Sequence, residues 1–312
     1  MRPTEASSVP LAAVIRAHSS PWGAFAWARV CDYITLAKPR IVILELFVAA
    51  TAACLASPHG VDALTVSHAL AATALIAGSA SIANQWIERR RDSRMPRTAD
   101  RPCAAGRVNG WEVGLLSLPA LAVGVCWLAM RVNGVTAALG VASWVIYALI
   151  YTPLKVHSPL NTIVGAVAGA LPLLMGWTAT GASLTMEAWA LATVLFLWQF
   201  PHFMAIAWLY RREYAVAGYQ MASVVDPTGT RCGAWAVRGA AWLIPVSLIP
   251  ALAPDSVSPV IYATWAVALG AVQLVLAILF ALARDDRSAR VLLRATLLFL
   301  PAWLTMLLVV SV

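Results

Sequence analysis

Long apolar segments, each close to the length needed to cross a lipid bilayer, recur along almost the whole chain. A spanning helix needs about 20 apolar residues, and the breaks between the segments carry Pro, Gly, Asn or charged residues. Charged residues make up only 12% of the chain, about half the fraction of a soluble domain. The sequence therefore predicts an all-α, polytopic membrane bundle. The predicted spans are Ile41–Ser57, Val66–Ile87, Trp111–Met130, Val135–Tyr151, Leu160–Thr180, Ala188–Trp208, Gly239–Ala253, Pro259–Ala283 and Ala295–Val312.

The basic residues are distributed unequally between the two sets of predicted loops, and this predicts an orientation. With the N-terminus in the cytoplasm, all of the 22 Lys and Arg residues except Arg131 fall on the cytoplasmic side. We expect a cytoplasmic segment over residues 1–40 and a transmembrane domain over 41–312, with long cytoplasmic loops at 88–110 and 209–238. Because the basic residues fall in loops beside the membrane, the net charge of +8 does not indicate a nucleic-acid partner.

A cluster of polar residues lies at the end of the second predicted span. Asn84, Glu88 and Asp92 are spaced i, i+4, i+8, which places three oxygen-bearing side chains on one face of a helix. Oxygen ligands suit Mg²⁺, and the arginines that surround the cluster suit phosphate. The alternative is a solvated face on which the carboxylates only pair with arginines. Asn84 favours a functional site, because strongly polar groups at membrane depth are usually functional.

Three further polar residues lie near the ends of later predicted spans, and each has two interpretations. His202 follows Pro201 in an apolar segment, and it is either a buried hydrogen-bonding residue or part of a pocket where proline bends the helix. Lys155 either reaches the membrane surface or contacts a phosphate. Glu213 is a candidate second metal ligand beside Arg211, or a member of a simple basic loop.

Charged residues also lie at the start of the first predicted span. Lys38 and Arg40 precede the span and by themselves fit the positive-inside pattern. Glu45 lies about one turn inside the span, where we expect it to face the bundle and meet an arginine. The sequence assigns Glu45 no function.

Taken together, these motifs resemble those of the UbiA superfamily of intramembrane prenyltransferases. The spacing of Asn84, Glu88 and Asp92 resembles the NxxxDxxxD motif of the superfamily. Other segments are similar to the protoheme IX farnesyltransferase (heme O synthase) family within it, and the resemblance runs from about residue 32 to 226. The similar segments are Asp32–Ile41, Met95–Pro102, Tyr151–Lys155, Gly169–Trp177 and Trp198–Gly218. The chain departs from the family pattern at Glu88, Arg90, Val156, His157 and Gln220, where the family usually has Asp, Asp, two basic residues and Pro.

The resemblance implies a UbiA-type bundle that transfers a farnesyl group from farnesyl diphosphate to a vinyl group of heme b, giving heme O and diphosphate. It implies Mg²⁺ as cofactor, an inner (plasma) membrane location, or the mitochondrial inner membrane in a eukaryote, and it leaves a heme A synthase partner open. The expected catalytic residues are Asn84, Glu88, Asp92, Lys155 and His202. The expected metal ligands are Glu88, Asp92, Asn84 and Glu213, the heme contact is His202, and the diphosphate contacts are Arg94, Arg97, Arg101, Lys155 and Arg211.

Three other functions are alternatives at this point. The nearest is a UbiA-type enzyme that acts on an aromatic acceptor, such as 4-hydroxybenzoate or a quinone precursor, but the Met95–Pro102 and Pro201–Phe203 segments count against it. A transporter is disfavoured because the polar groups cluster at one membrane face, and a heme-binding assembly factor leaves the paired carboxylates unexplained. No Ser-His-Asp arrangement, HExxH, P-loop or dinucleotide motif occurs in the sequence, which disfavours hydrolases, zinc proteases, ATPases and dehydrogenases.

Overall fold

A computed structural model describes residues 21–57, 60–252 and 258–311, and within these ranges the regular structure is entirely helical. The helices are numbered in chain order. They are α1 (Pro21–Leu36), α2 (Pro39–Leu55), α3 (Ala63–Asp92), α4 (Gly110–Arg131), α5 (Gly134–Leu154), α6 (Asn161–Ala179), α7 (Met186–Leu209), α8 (Arg211–Ala217), α9 (Ala222–Val225), α10 (Thr230–Ser247), α11 (Pro259–Ala283) and α12 (Asp286–Ser311).

Eight helices in the described part of the chain are long and apolar enough to cross a membrane. They include α10 together with the short 3₁₀ turn that follows it, over Thr230–Leu252. The first predicted span corresponds to α2, whose 17 residues extend about 26 Å, at the lower limit for a spanning helix. The expected all-α membrane bundle is therefore confirmed, with eight long helices and one short one in place of nine equivalent spans.

Several helices continue into regions that the sequence analysis treated as loops. Helix α3 ends at Asp92, so Glu88 is helical, and α10 begins at Thr230 instead of at residue 239. Helix α12 begins at Asp286, so the arginines between residues 287 and 294 lie on its first turns. Long basic side chains reach water while their backbone stays helical, and charge alone therefore placed these boundaries wrongly. Residues 1–20 and Val312, which belong to the predicted N-terminal segment and last span, lie outside the described residues.

The largest apolar core lies between α2, α6, α7 and α12. It contains large buried side chains such as Leu174 of α6, Leu191 and Trp198 of α7, and Trp303 of α12. Helices α6 and α7 are the most buried of the spans. Side chains on their inner faces are consequently held away from lipid, as a site for reactive intermediates requires.

Helix α5 departs from regular α-helical geometry over Val145–Tyr151, where it forms a π-helix. Such segments are frequent at functional sites. Tyr147 and Tyr151 lie within it with their ring centroids 5.5 Å apart, and both line the internal cavity described below. The π-helix thus directs two aromatic rings from one span into the bundle.

The segment between α3 and α4 is held in place by a buried carboxylate at the start of α4. Glu112 accepts hydrogen bonds from the Tyr33 hydroxyl and the Asn109 backbone N–H, both at 2.8 Å, and it pairs with Arg29 of α1. Asn109 and Glu112 also form the capping box of α4. The turns over 93–109 are therefore anchored at their far end.

Gly176 is the closest contact between α2 and α6, and it yields a test of the fold. A Cβ atom at this position would overlap the backbone carbonyl of Ala49, so we expect Gly176→Ala to destabilise the bundle by about 1–3 kcal/mol. Thermal unfolding of the detergent-solubilised protein measures this. Gly114→Ala in α4 is the control, because no atom lies within 4 Å of its added Cβ. Equal unfolding temperatures for the two variants would contradict the packing described here.

Candidate active site

A polar pocket of about 70 Å³ lies at the end of α3, where the turns over 93–109 meet the end of α5 and the segment around α8. We call it the polar pocket. Its charged lining residues are Glu88, Asp92, Arg97, Arg101 and Lys155. Among these charged residues, Glu88 and Lys155 are 67 positions apart in sequence, yet they converge on one small cavity. Two carboxylates and three cations line it together.

Each carboxylate of the polar pocket is paired with a cation from a different segment. Lys155 Nζ lies 2.7 Å from Glu88 Oε1, and an Arg101 guanidinium nitrogen lies 2.8 Å from Asp92 Oδ2. Glu88 is 5% exposed and Asp92 is 1% exposed. A buried carboxylate is costly without a partner, so these pairs allow two negative charges to stay at the edge of an apolar bundle.

The lysines beside the pocket differ in their electrostatic state. Burial by itself lowers the pKa of Lys155, but the adjacent Glu88 carboxylate and the Tyr151 hydroxyl outweigh it and hold that pKa well above its usual range. Burial, followed by the positive charge of Arg101, lowers the pKa of Lys38 to about 7. Lys155 is therefore held in its charged form, whereas the charged form of Lys38 is disfavoured by its surroundings.

Asn84 has two protein partners one turn deeper in the bundle. Its Oδ1 accepts from Lys38 Nζ at 2.6 Å, and its Nδ2 donates to Thr152 Oγ1 at 3.0 Å. Lys38 also donates to the Tyr147 hydroxyl at 3.4 Å. Asn84 thus links the start of α2 to α5 and positions Lys38.

An unpartnered oxygen atom of Asp92 indicates that the polar pocket could hold a metal ion. Asp92 Oδ1 is buried and has no hydrogen-bond partner, although Oδ2 is paired. Mg²⁺ prefers one or two carboxylates with water and phosphate oxygens completing its coordination, and Glu88 and Asp92 match that donor set. Among the described residues there is no group of three His, Cys, Asp or Glu side chains that could hold a metal. The remaining ligands would have to come from substrate and water.

Five predicted site residues do not line the polar pocket: Asn84, His202, Arg94, Arg211 and Glu213. Arg94 is exposed and does not line it. Arg211 pairs with Asp286 at 2.7 Å and stacks on the ring of Trp208 at 4.4 Å, away from the lining. Glu213 is also absent from the lining, and its Oε2 is buried without a partner.

Three tyrosines, Tyr151, Tyr214 and Tyr219, line the polar pocket, and none of them is among the site residues predicted from the sequence. Tyr151 lies in a segment that was noted for Lys155, but Tyr219 carried no signal of its own. The Tyr219 hydroxyl is buried and unpartnered, and the segment that carries it is fixed because the Gln220 N–H donates to the Lys155 carbonyl at 2.7 Å. The proline that the resembled family usually has at this position cannot make that bond.

A second cavity, of about 330 Å³, lies inside the bundle between α2, α3, α5, α6 and α7. We call it the apolar chamber, because most of its lining is aliphatic or aromatic. Tyr151 lines both the chamber and the polar pocket, so the two cavities adjoin there. Glu45, Gln199 and His202 are among the few polar side chains of the chamber.

The orientation and tautomer of His202 are set by its neighbours. Its Nδ1 lies 3.0 Å from Thr296 Oγ1, and that hydroxyl donates its one proton to the Leu293 carbonyl at 2.7 Å. In the neutral ring Nδ1 must therefore be the donor, which leaves a lone pair on Nε2. Trp198 stacks on the imidazole with ring centroids 5.1 Å apart and donates to the Thr296 carbonyl at 2.8 Å. His202 is thus a fixed residue of the chamber wall with one free acceptor nitrogen.

Comparisons with known proteins agree with this architecture. The sequence pattern of the UbiA prenyltransferase family matches residues 46–307. A protoheme IX farnesyltransferase of Rhodopirellula baltica is 41% identical over 282 residues, covering 86% of this chain and 96% of that protein. A protoheme IX farnesyltransferase of Salinibacter ruber is 40% identical over 281 residues, covering 89% and 98%. A solved UbiA homolog from Archaeoglobus fulgidus, bound to DMAPP and Mg²⁺, has a TM-score of 0.67 at 15% identity and covers 88% of this chain and 99% of its own.

The Glu88–Lys155 pair is testable as a stability coupling. Lys155→Met leaves the Glu88 carboxylate buried without its closest cation, and we expect a loss of up to about 3 kcal/mol. The double variant Lys155→Met with Glu88→Gln removes the uncompensated charge, so it is expected to regain most of that loss. Thermal unfolding in detergent measures both. A double variant that is less stable than Lys155→Met would contradict the pairing.

Proposed function

The chain belongs to the UbiA prenyltransferase family, and we propose that it transfers the farnesyl group of farnesyl diphosphate to a vinyl group of heme b, giving heme O and diphosphate. One observation carries the proposal: a small charged pocket adjoins a larger apolar chamber at Tyr151. A prenyl diphosphate has the same two-part chemistry. The names of the two bacterial relatives support the farnesyl donor and the heme acceptor.

The cations of the polar pocket bind the diphosphate and stabilise it as it leaves. Arg97, Arg101 and Lys155 all line the pocket. A guanidinium group offers five N–H donors and an ammonium group offers three, so Arg101 and Lys155 retain donors beyond those used on the carboxylates. Fixed cations in a water-poor site stabilise the negative charge that develops as the C–O bond of the diphosphate ester breaks.

Glu88 and Asp92 are the residues that would hold Mg²⁺, because they supply two carboxylates in the pocket and Asp92 Oδ1 has no other partner. When bound, the ion neutralises diphosphate charge and improves the leaving group. Asn84 acts indirectly in this arrangement, because its amide holds Lys38 and Thr152. The positions of Arg94, Arg211 and Glu213 support no direct contact with the diphosphate.

The apolar chamber holds the prenyl chain and excludes water from the allylic cation. Its lining gives the farnesyl chain apolar contacts, and an enclosed site limits premature hydrolysis. Tyr151 lies at the junction with the polar pocket, and Tyr147 lies beside it in the chamber lining, with the two ring centroids 5.5 Å apart. An aromatic face attracts positive charge, so these rings stabilise the cation as the bond to diphosphate breaks.

His202 contacts the heme through Nε2 and binds its iron. The lone pair on Nε2 repels a propionate carboxylate but suits a metal ion. Histidines that bind metals almost always donate their other ring N–H to a fixed acceptor, and Thr296 supplies that acceptor here. The contact places the heme in the chamber, on the opposite side of Tyr151 from the diphosphate.

The polar pocket is assigned to the cytoplasmic face of a plasma membrane. The expected orientation places the segments that carry Arg97, Arg101 and Lys155 in the cytoplasm, where a soluble diphosphate substrate is available. A protein with reporter tags at Lys155 and Arg131, probed from each side of the membrane, tests this assignment. Labelling of both positions from the same side would contradict it.

The proposed reaction is tested with purified protein in liposomes that contain heme b, farnesyl diphosphate and Mg²⁺, with mass spectrometry of the extracted hemes. Heme O that disappears with EDTA is the expected product. Prenylation of 4-hydroxybenzoate or a quinone precursor, with no heme product, would overturn the acceptor. Tight heme binding without any prenylated product would indicate a binding role.

Asp92→Asn tests the metal assignment in the same assay. The variant keeps the side-chain shape but removes a negative charge, and we expect turnover to fall at least about 100-fold, the scale of loss for a key electrostatic group. Asp100→Asn is the matched control, since Asp100 lies in the adjacent turns with a side chain that is 98% exposed. A wild-type rate in the Asp92→Asn variant would contradict the assignment of Asp92 as a metal ligand.

His202→Ala and Thr296→Val test the heme contact. Both variants are expected to weaken heme b binding. Thr296→Val is expected to weaken it by about 10-fold, because the imidazole loses its orienting partner. The KM for farnesyl diphosphate is expected to stay within about threefold of the wild-type value. An absorbance titration with heme b measures the heme affinity. His68→Ala is the control, because His68 bonds to Trp127 and lines neither cavity. Unchanged heme affinity with a large loss of farnesyl diphosphate affinity would refute the contact.

A further inference from the structure

Glu45 is an acidic residue of the apolar chamber that the mechanism above does not use. It lies on α2 with Ile41, Leu44 and Val48, and the four positions form one helix face that lines the chamber. A carboxyl group among aliphatic neighbours at membrane depth is costly, and such groups are usually retained for function. Its position therefore requires an explanation.

The Glu45 carboxyl group has no partner that would explain it as a structural residue. Among the described residues, no donor hydrogen-bonds to it and no cation lies within ion-pair distance. None of the arginines in the described ranges forms the ion pair that the sequence led us to expect for Glu45. Lys38, two turns earlier, is held by Asn84 and Tyr147. Glu45 thus faces the chamber with its acceptor oxygens available.

The proposed reaction requires a proton acceptor in this chamber. When a vinyl carbon of the heme forms a bond to C1 of the farnesyl group, the C1–O bond breaks and its electron pair leaves with diphosphate. The other vinyl carbon then carries a positive charge. Conversion to the alcohol needs the oxygen of one water molecule and no oxidant, because a carbon cation and hydroxide add across the double bond. The water must lose one proton as its oxygen bonds to carbon.

We propose that Glu45 is the general base that takes this proton. The inference rests on the proposed function. As the water oxygen bonds to the cationic vinyl carbon, one O–H bond breaks and its proton passes to a Glu45 carboxylate oxygen. The neutral acid then returns the proton to the leaving diphosphate or to solvent. The reaction is thereby balanced as vinyl heme, farnesyl diphosphate and water giving the alcohol and protonated diphosphate.

The other polar groups that line the chamber are less suited to this step. His202 has one acceptor nitrogen, and it is assigned to the heme iron. Gln199 is an amide and cannot accept a proton at neutral pH, and its Nε2 is used on the Ala166 and Leu195 carbonyls. Ser81 and Ser143 hydroxyls line the chamber as well. They can hold the water by hydrogen bonds, which a buried water molecule needs.

Glu45→Gln is the decisive variant, because it keeps the size of the side chain and removes its basicity. We expect heme O formation to fall at least about 100-fold, the usual contribution of a general base, while heme b affinity and diphosphate release are retained. Without a base for water, the cation is expected to lose a proton from the neighbouring carbon to the released diphosphate, and the C–H electron pair forms a carbon–carbon double bond. A farnesylated heme lighter by one water would then accumulate.

Two controls sharpen the result. Glu45→Asp keeps a carboxylate and is expected to restore part of the hydroxylated product. Asp100→Asn, an acid-to-amide change at an exposed residue outside the chamber lining, is expected to change the ratio of the two products by less than threefold. Reactions in ¹⁸O-labelled water should place the label in the heme O hydroxyl. An unlabelled hydroxyl would overturn the proposal.

The failure of this inference is distinguishable from failure of the proposed function. A wild-type protein that makes no farnesylated heme refutes the function, and the role of Glu45 falls with it. If the wild type makes heme O and Glu45→Gln makes it at the same rate, only the inference fails. Loss of heme binding and diphosphate release in Glu45→Gln, with no dehydrated product, would show a packing role and also overturn it.

Discussion

The pairing of two buried carboxylates on α3 with cations from other segments is the interaction on which the site depends. Glu88 and Asp92 lie at the end of a long apolar helix, where unpaired charge is costly. Lys155 brings the end of α5 to Glu88, and Arg101 brings the turns after α3 to Asp92. The same contacts that make the charges tolerable therefore assemble the polar pocket, and they leave Asp92 Oδ1 for a ligand.

The second constraint is the separation of polar and apolar chemistry on the two sides of Tyr151. The π-helix in α5 directs Tyr147 and Tyr151 inward, so aromatic faces stand between a charged pocket and an apolar chamber. Such a boundary suits a reaction in which an anion leaves on one side and a carbon cation is transferred on the other. Glu45 and His202 lie in the chamber, where the acceptor has to be bound and a single water has to be controlled.

The all-α membrane class and the cluster around Glu88 and Asp92 could be predicted from sequence, because span length and helical periodicity are local properties of the chain. Helix ends were less predictable. The charge of the arginines at the start of α12 suggested a loop, yet their backbone is helical. The motif around Lys155 made it a candidate site residue. Its contact with Glu88, however, joins residues 67 positions apart, and a local sequence pattern cannot predict such a contact.

The sequence by itself determined that this chain crosses a membrane many times and that oxygen ligands and arginines meet at the end of one helix. Tertiary structure decided which of the candidates share a cavity: Arg97 and Arg101 line the polar pocket, whereas Arg94 and Arg211 do not. It also decided that Glu45 faces the chamber, with no ion pair to any arginine that the structure describes, and that Thr296 sets the tautomer of His202. The physical reason is that these properties arise from the packing of different helices and turns against one another, which depends on contacts between residues far apart in the chain.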